Sequence, residues 1–196
     1  MSEAEIREIF QRYEAIMTGH FKLSSGLHSD TYLQCARVLE HPRVAHSLGS
    51  ALADKLRARA GRIDVIASPA MGGVLIGYAV AHALGCRFVF FERSGGAFTL
   101  RRGQRLSPGE KVAVVEDVIT TGGSAAEVVD LVRAAGADVV AVGSIVDRSA
   151  APPPFGLESL LKIDARSWAP QACPSCARGE ALDAPGSRHL KPGEVR

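Results

Sequence analysis

The strongest constraint in this sequence is a series of short apolar runs, at residues 65–67, 88–91, 112–115 and 139–146, none of which contains a charged residue. Such runs suit strands buried on both faces. Between the first and second runs, and again between the third and fourth, lie segments of helical length, residues 74–84 and 124–135, closed by Gly85 and Gly136. Strands without a wet face, joined by crossover helices, predict an α/β fold with a parallel sheet covered on both sides. In such sheets ligands bind at the carboxyl ends of the strands, and the search for chemistry begins there.

The flanking segments are organised differently. Ser2 and Glu5 form a capping box ahead of Ile6, Ile9, Phe10, Tyr13, Ile16 and Met17, which fall on one face of an amphipathic helix. Residues 20–34 (HFKLSSGLHSDTYLQ) predict two short strands about a polar turn at Gly26. Pro42 opens a second helix, with Val44, Leu48, Leu52 and Leu56 four apart and Gly61 near its end. Residues 93–111 (RSGGAFTLRRGQRLSPGEK) are a long, basic connection with no helical pattern, as expected of a lid that Gly95, Gly96 and Gly103 allow to move. After Pro152-Pro153-Pro154 come one more candidate strand, 157–163, and a Pro/Gly-rich tail. The expectation is a single domain over residues 1–196, with a core of about 40–150 and a small hood from about 1–39 and 151–196.

Composition narrows the partners. With Lys+Arg 23 against Asp+Glu 21 the net charge is +2, which argues against nucleic acid as a partner, so any affinity for phosphate has to be local. Residues 65–86 run for 22 positions without Asp, Glu, Lys or Arg, long enough to suggest a membrane span, but Pro69, Gly72 and Gly73 divide them into strand, loop and helix. The first residues, Ser2-Glu3-Ala4-Glu5, lack the basic patch of a secretory signal, and four cysteines are too few and too uneven for a disulfide framework; both point to the cytoplasm.

The most informative stretch is residues 112–124, VAVVEDVITTGGS, running directly into a helix. An apolar strand delivers Glu116 and Asp117 to its carboxyl end, and Val118, Ile119, Thr120, Thr121, Gly122, Gly123 and Ser124 follow. Glycines let backbone N–H groups converge, and a helix amino terminus adds roughly half a positive charge, so residues 120–124 suit a phosphate dianion. The adjacent acids would repel that phosphate; they suit neutral vicinal hydroxyls or a metal. A ligand with a phosphate at one end and a sugar diol beside it, a ribose 5-phosphate, satisfies both halves. GxxxxGK[ST] is absent, and no GxGxxG follows a strand. A plain strand-to-helix turn with Ser124 as N-cap explains the serine but not the acid pair.

The segment VVEDVITTGGS resembles the phosphoribosyl diphosphate (PRPP) signature of type I phosphoribosyltransferases. FKLSSGLHSDTYLQ, the loop Ser68-Pro69-Ala70-Met71-Gly72-Gly73 and Val146-Asp147-Arg148-Ser149 resemble the orotate-specific branch of that family, over about residues 18–150, and the PGSR of the tail resembles its short members. The resemblance implies a type I phosphoribosyltransferase-like parallel sheet flanked by helices, with a small hood. It also implies a Mg²⁺-dependent transfer of ribose 5-phosphate from PRPP to N1 of orotate, giving orotidine 5′-monophosphate and pyrophosphate in pyrimidine (UMP) biosynthesis. By resemblance, Glu116 and Asp117 hold the ribose 2′- and 3′-hydroxyls, with Asp117 also serving Mg²⁺ through substrate and water. Residues Val118 to Ser124 hold the 5′-phosphate; Thr120, Arg148, Ser25 and Tyr32 meet orotate, Arg148 through its carboxylate. Arg93, Arg101, Arg102 and Arg105 are the lid's candidate anion contacts, Arg101 and Arg102 as catalytic groups. A homodimer is implied, the lid of one subunit reaching its neighbour's site.

The chain also departs from the family. It has Ser24 where many members carry Lys before the Ser-Gly turn, Met71-Gly72-Gly73 where many carry a further Lys, and Arg101-Arg102 near the place of the usual lid lysines and histidine. Two alternatives share the ribose-phosphate site: a purine-base phosphoribosyltransferase, against which Arg148 argues because a purine has no carboxylate, and a non-catalytic PRPP-sensing regulator, which would show a basic surface. Cys173-Pro-Ser-Cys176 is half of a zinc-ribbon pattern. Completing it would take His189, another residue or a second subunit; the alternative is an ordinary surface turn. His82 and Met71 read as packing residues.

Overall fold

The structure is a computed structural model that describes residues 1–23 and 25–185; Ser24, His189 and most of the PGSR tail lie outside them. The elements are α1 (Glu3–Arg12), β1 (Ile16–Lys22), β2 (His28–Leu33), α2 (Ala36–Leu39), α3 (Pro42–Ala60), β3 (Val65–Pro69), α4 (Gly72–Leu84), β4 (Arg87–Ser94), β5 (Ala97–Leu100), β6 (Lys111–Ile119), α5 (Gly123–Ala134), β7 (Asp138–Asp147), β8 (Leu157–Lys162), β9 (Ser167–Trp168) and α6 (Pro174–Ala177). Six strands form one sheet in the order β5-β4-β3-β6-β7-β8, and a second sheet has the order β1-β2-β9. All neighbours in the large sheet are parallel except the edge strand β5, which returns antiparallel to β4.

The two-faced apolar strands account for the layers. In β6, Ala113 and Val115 join a core with Leu48, Leu52 and Leu56 of α3 and Ile76 and Val80 of α4. Val112 and Val114 point the other way, onto Ala125, Val128, Val129 and Val132 of α5. Each fully buried Leu or Val contributes about 1.5–3 kcal/mol over its exposed state, so a strand filled on both faces is held twice over. The helices α3 and α4 lie very close: a methyl group built on Gly49 would come 2.6 Å from Ala79 Cβ.

Several expectations need adjusting. The helix that begins at the Ser2–Glu5 capping box stops at Arg12; Glu14 takes a φ of 49°, and Ile16 and Met17 belong to β1. Their spacing fits a helix, but the turn between them and Phe10 breaks its phase. The 93–111 connection is in part a β-hairpin, because Gly95 and Gly96, with φ of 61° and 92°, form a two-residue turn between the paired Ser94 and Ala97. The segment 157–162, grouped above with the hood, forms the edge of the main sheet beside β7. His82 is exposed on the wet side of α4 and meets His46 ring to ring, and Met71 is 82% exposed in the loop before α4, so neither is a core residue.

Candidate active site

From β3 the chain builds outward to β4 and β5, then returns to add β6, β7 and β8 on the other side. This reversal leaves a crevice at the carboxyl ends of β3 and β6, the place where open α/β sheets take their ligands. The crevice receives residues 70–72 from β3 and residues 116–124 from β6.

Glu116 and Asp117 lie within β6, not beyond its end: Glu116 pairs with Ser144, and the ladder to β7 continues to Ile119 opposite Asp147. Both are half-buried, and neither forms an ion pair among the described residues. Burial, with the Asp117 charge beside it, pushes the Glu116 carboxyl up to about 8. Burial also raises Asp117, against the pull of the backbone N–H groups of Val118 and Asp117 itself. The pair is therefore short of positive or hydrogen-bond-donating partners, which a sugar diol or a divalent cation would supply.

This has a measurable consequence in the ligand-free protein. Between the ordinary Glu value of 4.5 and about 8, the unfolded chain has lost the Glu116 proton while the folded chain keeps it. The folded state is then the one that binds more protons, so the stability owed to this group declines as pH rises through that window and levels off above it. Glu116→Gln cannot ionise, so its Tm relative to wild type is expected to rise steadily across the window in thermal melts; a difference that does not change with pH contradicts the assignment.

Beyond the acids the chain turns sharply. Thr120 and Thr121 are exposed, and Gly122, with φ of 76°, is the N-cap of α5. Gly122 has no side chain to cap the helix; the Gly123 N–H donates to Thr121 Oγ1 at 3.4 Å, and the Ser124 hydroxyl, which an N-cap role would have occupied, makes no hydrogen bond among the described residues. The first-turn N–H groups of α5 and the Thr and Ser hydroxyls together make a cup with donors to spare, the electrostatic requirement for a phosphate. From the other side Gly72 closes on Asp117: a methyl group at Gly72 would lie 2.5 Å from its Oδ1. The need for glycine at this contact follows only from the three-dimensional approach of the start of α4 to β6 and is invisible in the local sequence.

Arg148 follows β7, and its backbone N–H donates to the Ile119 carbonyl at 2.7 Å, which fixes it beside the 116–124 segment. Its guanidinium donates to Ser29 Oγ at 3.3 Å and to the Thr31 carbonyl at 3.4 Å, both on β2. Ser29 in turn donates to the Arg166 carbonyl at 2.7 Å, so β2 and the following C-terminal segment jointly hold the arginine. These contacts are long and leave most of the planar fork free. Tyr32 packs its ring 5.6 Å from Phe21 within the small sheet, where burial and the Asp183 charge raise its hydroxyl. Ser25 is exposed in the turn between β1 and β2, its hydroxyl accepting from the Leu27 N–H at 3.4 Å.

The hairpin arginines separate by partner. Arg93 pairs with Glu127 of α5 at 3.0 Å and lies 4.0 Å over the Phe98 ring. Arg102 grips Glu92 through two hydrogen bonds, at 2.9 and 3.0 Å. Both are thus engaged in holding the hairpin. Arg101 and Arg105 are exposed, and their guanidinium groups have no hydrogen bond or ion pair among the described residues.

Residues 34–155 match the family described as phosphoribosyl transferase domain. The chain is 50% identical to the orotate phosphoribosyltransferase of Thermotoga maritima over 95% of its own length and all of the relative's. It is 46% identical to that of Caldanaerobacter subterraneus over 97% of its length and all of the relative's. Among solved structures it is similar to Mycobacterium tuberculosis orotate phosphoribosyltransferase in complex with inorganic phosphate, with 29% identity, a TM-score of 0.64, and coverage of 82% of this chain and 95% of that one.

Proposed function

Because the chain belongs to the orotate phosphoribosyltransferase family of phosphoribosyltransferases, we propose that its crevice transfers ribose 5-phosphate from PRPP to orotate, releasing pyrophosphate, as a step of pyrimidine biosynthesis. The observation that carries this reading is the succession, on one strand and the turn after it, of an acid pair without an ion-pair partner among the described residues and a helix amino terminus with N–H groups to spare, with a half-free arginine one strand away.

The chemistry follows from those parts. The bond from C1′ to the diphosphate oxygen breaks and a bond from C1′ to N1 of the base forms, so positive charge builds on the sugar and negative charge on the leaving group. Binding the 5′-phosphate in the 120–124 cup and the hydroxyls on Glu116 and Asp117 fixes the ring, and the carboxylates act on the cationic sugar from a partly desolvated position. Arg148 takes the orotate carboxylate in its planar fork, which sets the face that N1 presents. Thr120 stands at the junction of the two substrates. Of the hairpin arginines, Arg101 and Arg105 form no ion pair among the described residues and can offer their charge to the departing diphosphate; Arg102 supports the hairpin through Glu92. Closure over the crevice excludes water, which would otherwise capture the sugar cation.

The acid pair, which has no ion-pair partner among the described residues, fits a divalent cation, and Mg²⁺, held by Asp117 mainly through substrate and water, would supply charge neutralisation of the diphosphate. The same reading includes a homodimer, in which the hairpin serves the neighbouring crevice, and a cytoplasmic setting. No helix among the described residues is long and apolar enough to cross a membrane.

The test is an assay of PRPP and Mg²⁺ against orotate, uracil, adenine and xanthine. Orotidine 5′-monophosphate formed from orotate, with the other bases inert, is the expected result. Turnover of adenine or xanthine in its place would move the chain to a purine-base reaction, and PRPP binding without turnover of any base would leave a sensor.

A further inference from the structure

The cysteine pair of the tail lies among histidines. After β9 pairs with β2, the chain passes through a short 3₁₀ turn, Pro170–Ala172, into α6, which brings Cys173 and Cys176 back against the β1–β2 hairpin. There they meet His20 of β1 and His28 of β2. One ligand atom from each of the four residues lies within 4.8 Å of the other three. His20 Nε2 and His28 Nδ1 are 3.0 Å apart, Cys173 Sγ is 3.4 Å from His20 Nε2, and Cys176 Sγ is 3.6 Å from His20 Nε2 and 3.3 Å from His28 Nδ1.

From these contacts we infer that His20, His28, Cys173 and Cys176 form a structural zinc site that fastens the C-terminal segment to the β1–β2 hairpin.

Three observations carry this. The first is distance. Zinc bonds of about 2.0–2.1 Å to nitrogen and about 2.3 Å to sulfur, arranged tetrahedrally, put N···N at about 3.3 Å and N···S at about 3.6 Å. The observed separations fall within a few tenths of an ångström of those values. The second is the tautomer of His20. Its Nδ1 lies 3.0 Å from the Glu180 carbonyl, which can only accept, so Nδ1 carries the ring proton and Nε2 turns a lone pair toward the other three groups. A backbone carbonyl holding the far nitrogen is the usual outer support of a metal-bound histidine. The third is donor chemistry and enclosure. Two thiols and two imidazoles in a tetrahedral set select zinc, and His20, His28 and Cys173 are buried while Cys176 reaches the surface. Four protein ligands leave no open position for a water, so the site is structural and not catalytic. As zinc binds, the two thiols release two protons and the thiolates balance its charge; nothing is oxidised or reduced.

The location gives the site a purpose. The small sheet has only a two-residue third strand, β9, so few ladder hydrogen bonds tie the C-terminal segment to it, a situation in which a metal adds a cross-link. His28 is next in sequence to Ser29, which contacts both Arg166 and Arg148. The zinc would therefore hold the strand that steadies Arg148 from a position outside the crevice.

The intact chain, purified without chelators or a metal-affinity tag, is expected to carry one zinc per chain by elemental analysis. Exchange with Co²⁺ should give the intense visible bands of a tetrahedral thiolate-bound ion. Zinc removal with a strong chelator should expose both thiols of the pair to Ellman's reagent and accelerate tryptic cleavage after Arg166 or Arg178 at least tenfold, with zinc restoring protection. Cys176→Ser, the mildest change because this residue is at the surface, should lower zinc content severalfold. Zinc at trace level together with a weak octahedral cobalt spectrum would overturn the inference. So would a Cys173–Cys176 disulfide in protein handled anaerobically, or thiol reactivity and cleavage rates indifferent to added zinc.

Discussion

Asp117→Asn is expected to reduce kcat/KM by about 10²–10³-fold, the range seen when one preorganised electrostatic partner of a transition state is removed. The substitution keeps the size of the side chain, which matters because Gly72 stands against the carboxylate with no room for even a methyl group. What it removes is charge. In the ground state a ribose hydroxyl can still hydrogen-bond to the amide oxygen, so the KM for PRPP should move little. As the bond from C1′ to diphosphate lengthens, the sugar becomes cationic, and only a carboxylate becomes a better partner as that happens. The loss should therefore fall mainly on kcat. Steady-state rates of orotidine 5′-monophosphate formation at saturating Mg²⁺ provide the measurement, and near-normal turnover would remove Asp117 from the site.

The second large effect is expected at Arg148. Its alanine variant should raise the KM for orotate by about 10–100-fold, since a charge-assisted hydrogen bond contributes about 1.5–3 kcal/mol and each 1.4 kcal/mol is a factor of ten. The KM for PRPP should stay within about threefold, because the phosphate cup and the acid pair belong to β6 and α5 and make no use of the guanidinium. Arg148→Lys is the control: it keeps the charge, loses the planar fork, and should recover only part of the affinity. Equal changes for both substrates would show that the variant had disturbed the crevice as a whole, for instance through the Ser29 and Thr31 contacts, and not the recognition of a carboxylate.

How much of this was readable in advance depended on whether the determining contacts were local. The parallel sheet was readable because β6 and β7 are apolar on both faces, a pattern that other architectures rarely need. The 116–124 segment was readable because strand, acids, turn and helix are contiguous. Strand boundaries were less so: Glu116 and Asp117 are polar, yet the ladder to β7 carries the strand past them. The strand pairing inside the 93–111 connection is hidden because its charges obscure the alternation, although Gly95-Gly96 is a hairpin signal. Nor did charge reveal which arginine is free, since that depends on Glu92 and Glu127 being placed beside Arg102 and Arg93 by the fold. The histidine partners of the cysteine pair were the least accessible, because His20 and Cys173 are 153 positions apart and meet only when β9 returns to β2.

The arrangement of Arg148 separates two jobs. In the proposed reading the pentose is gripped by a single uninterrupted passage of the chain, anchored in the centre of the sheet, whereas Arg148, assigned to the nucleobase, is braced by peripheral segments from both ends of the sequence. On that reading, a change of nucleobase would require rebuilding the outlying brace and would leave the sugar-handling passage as it is.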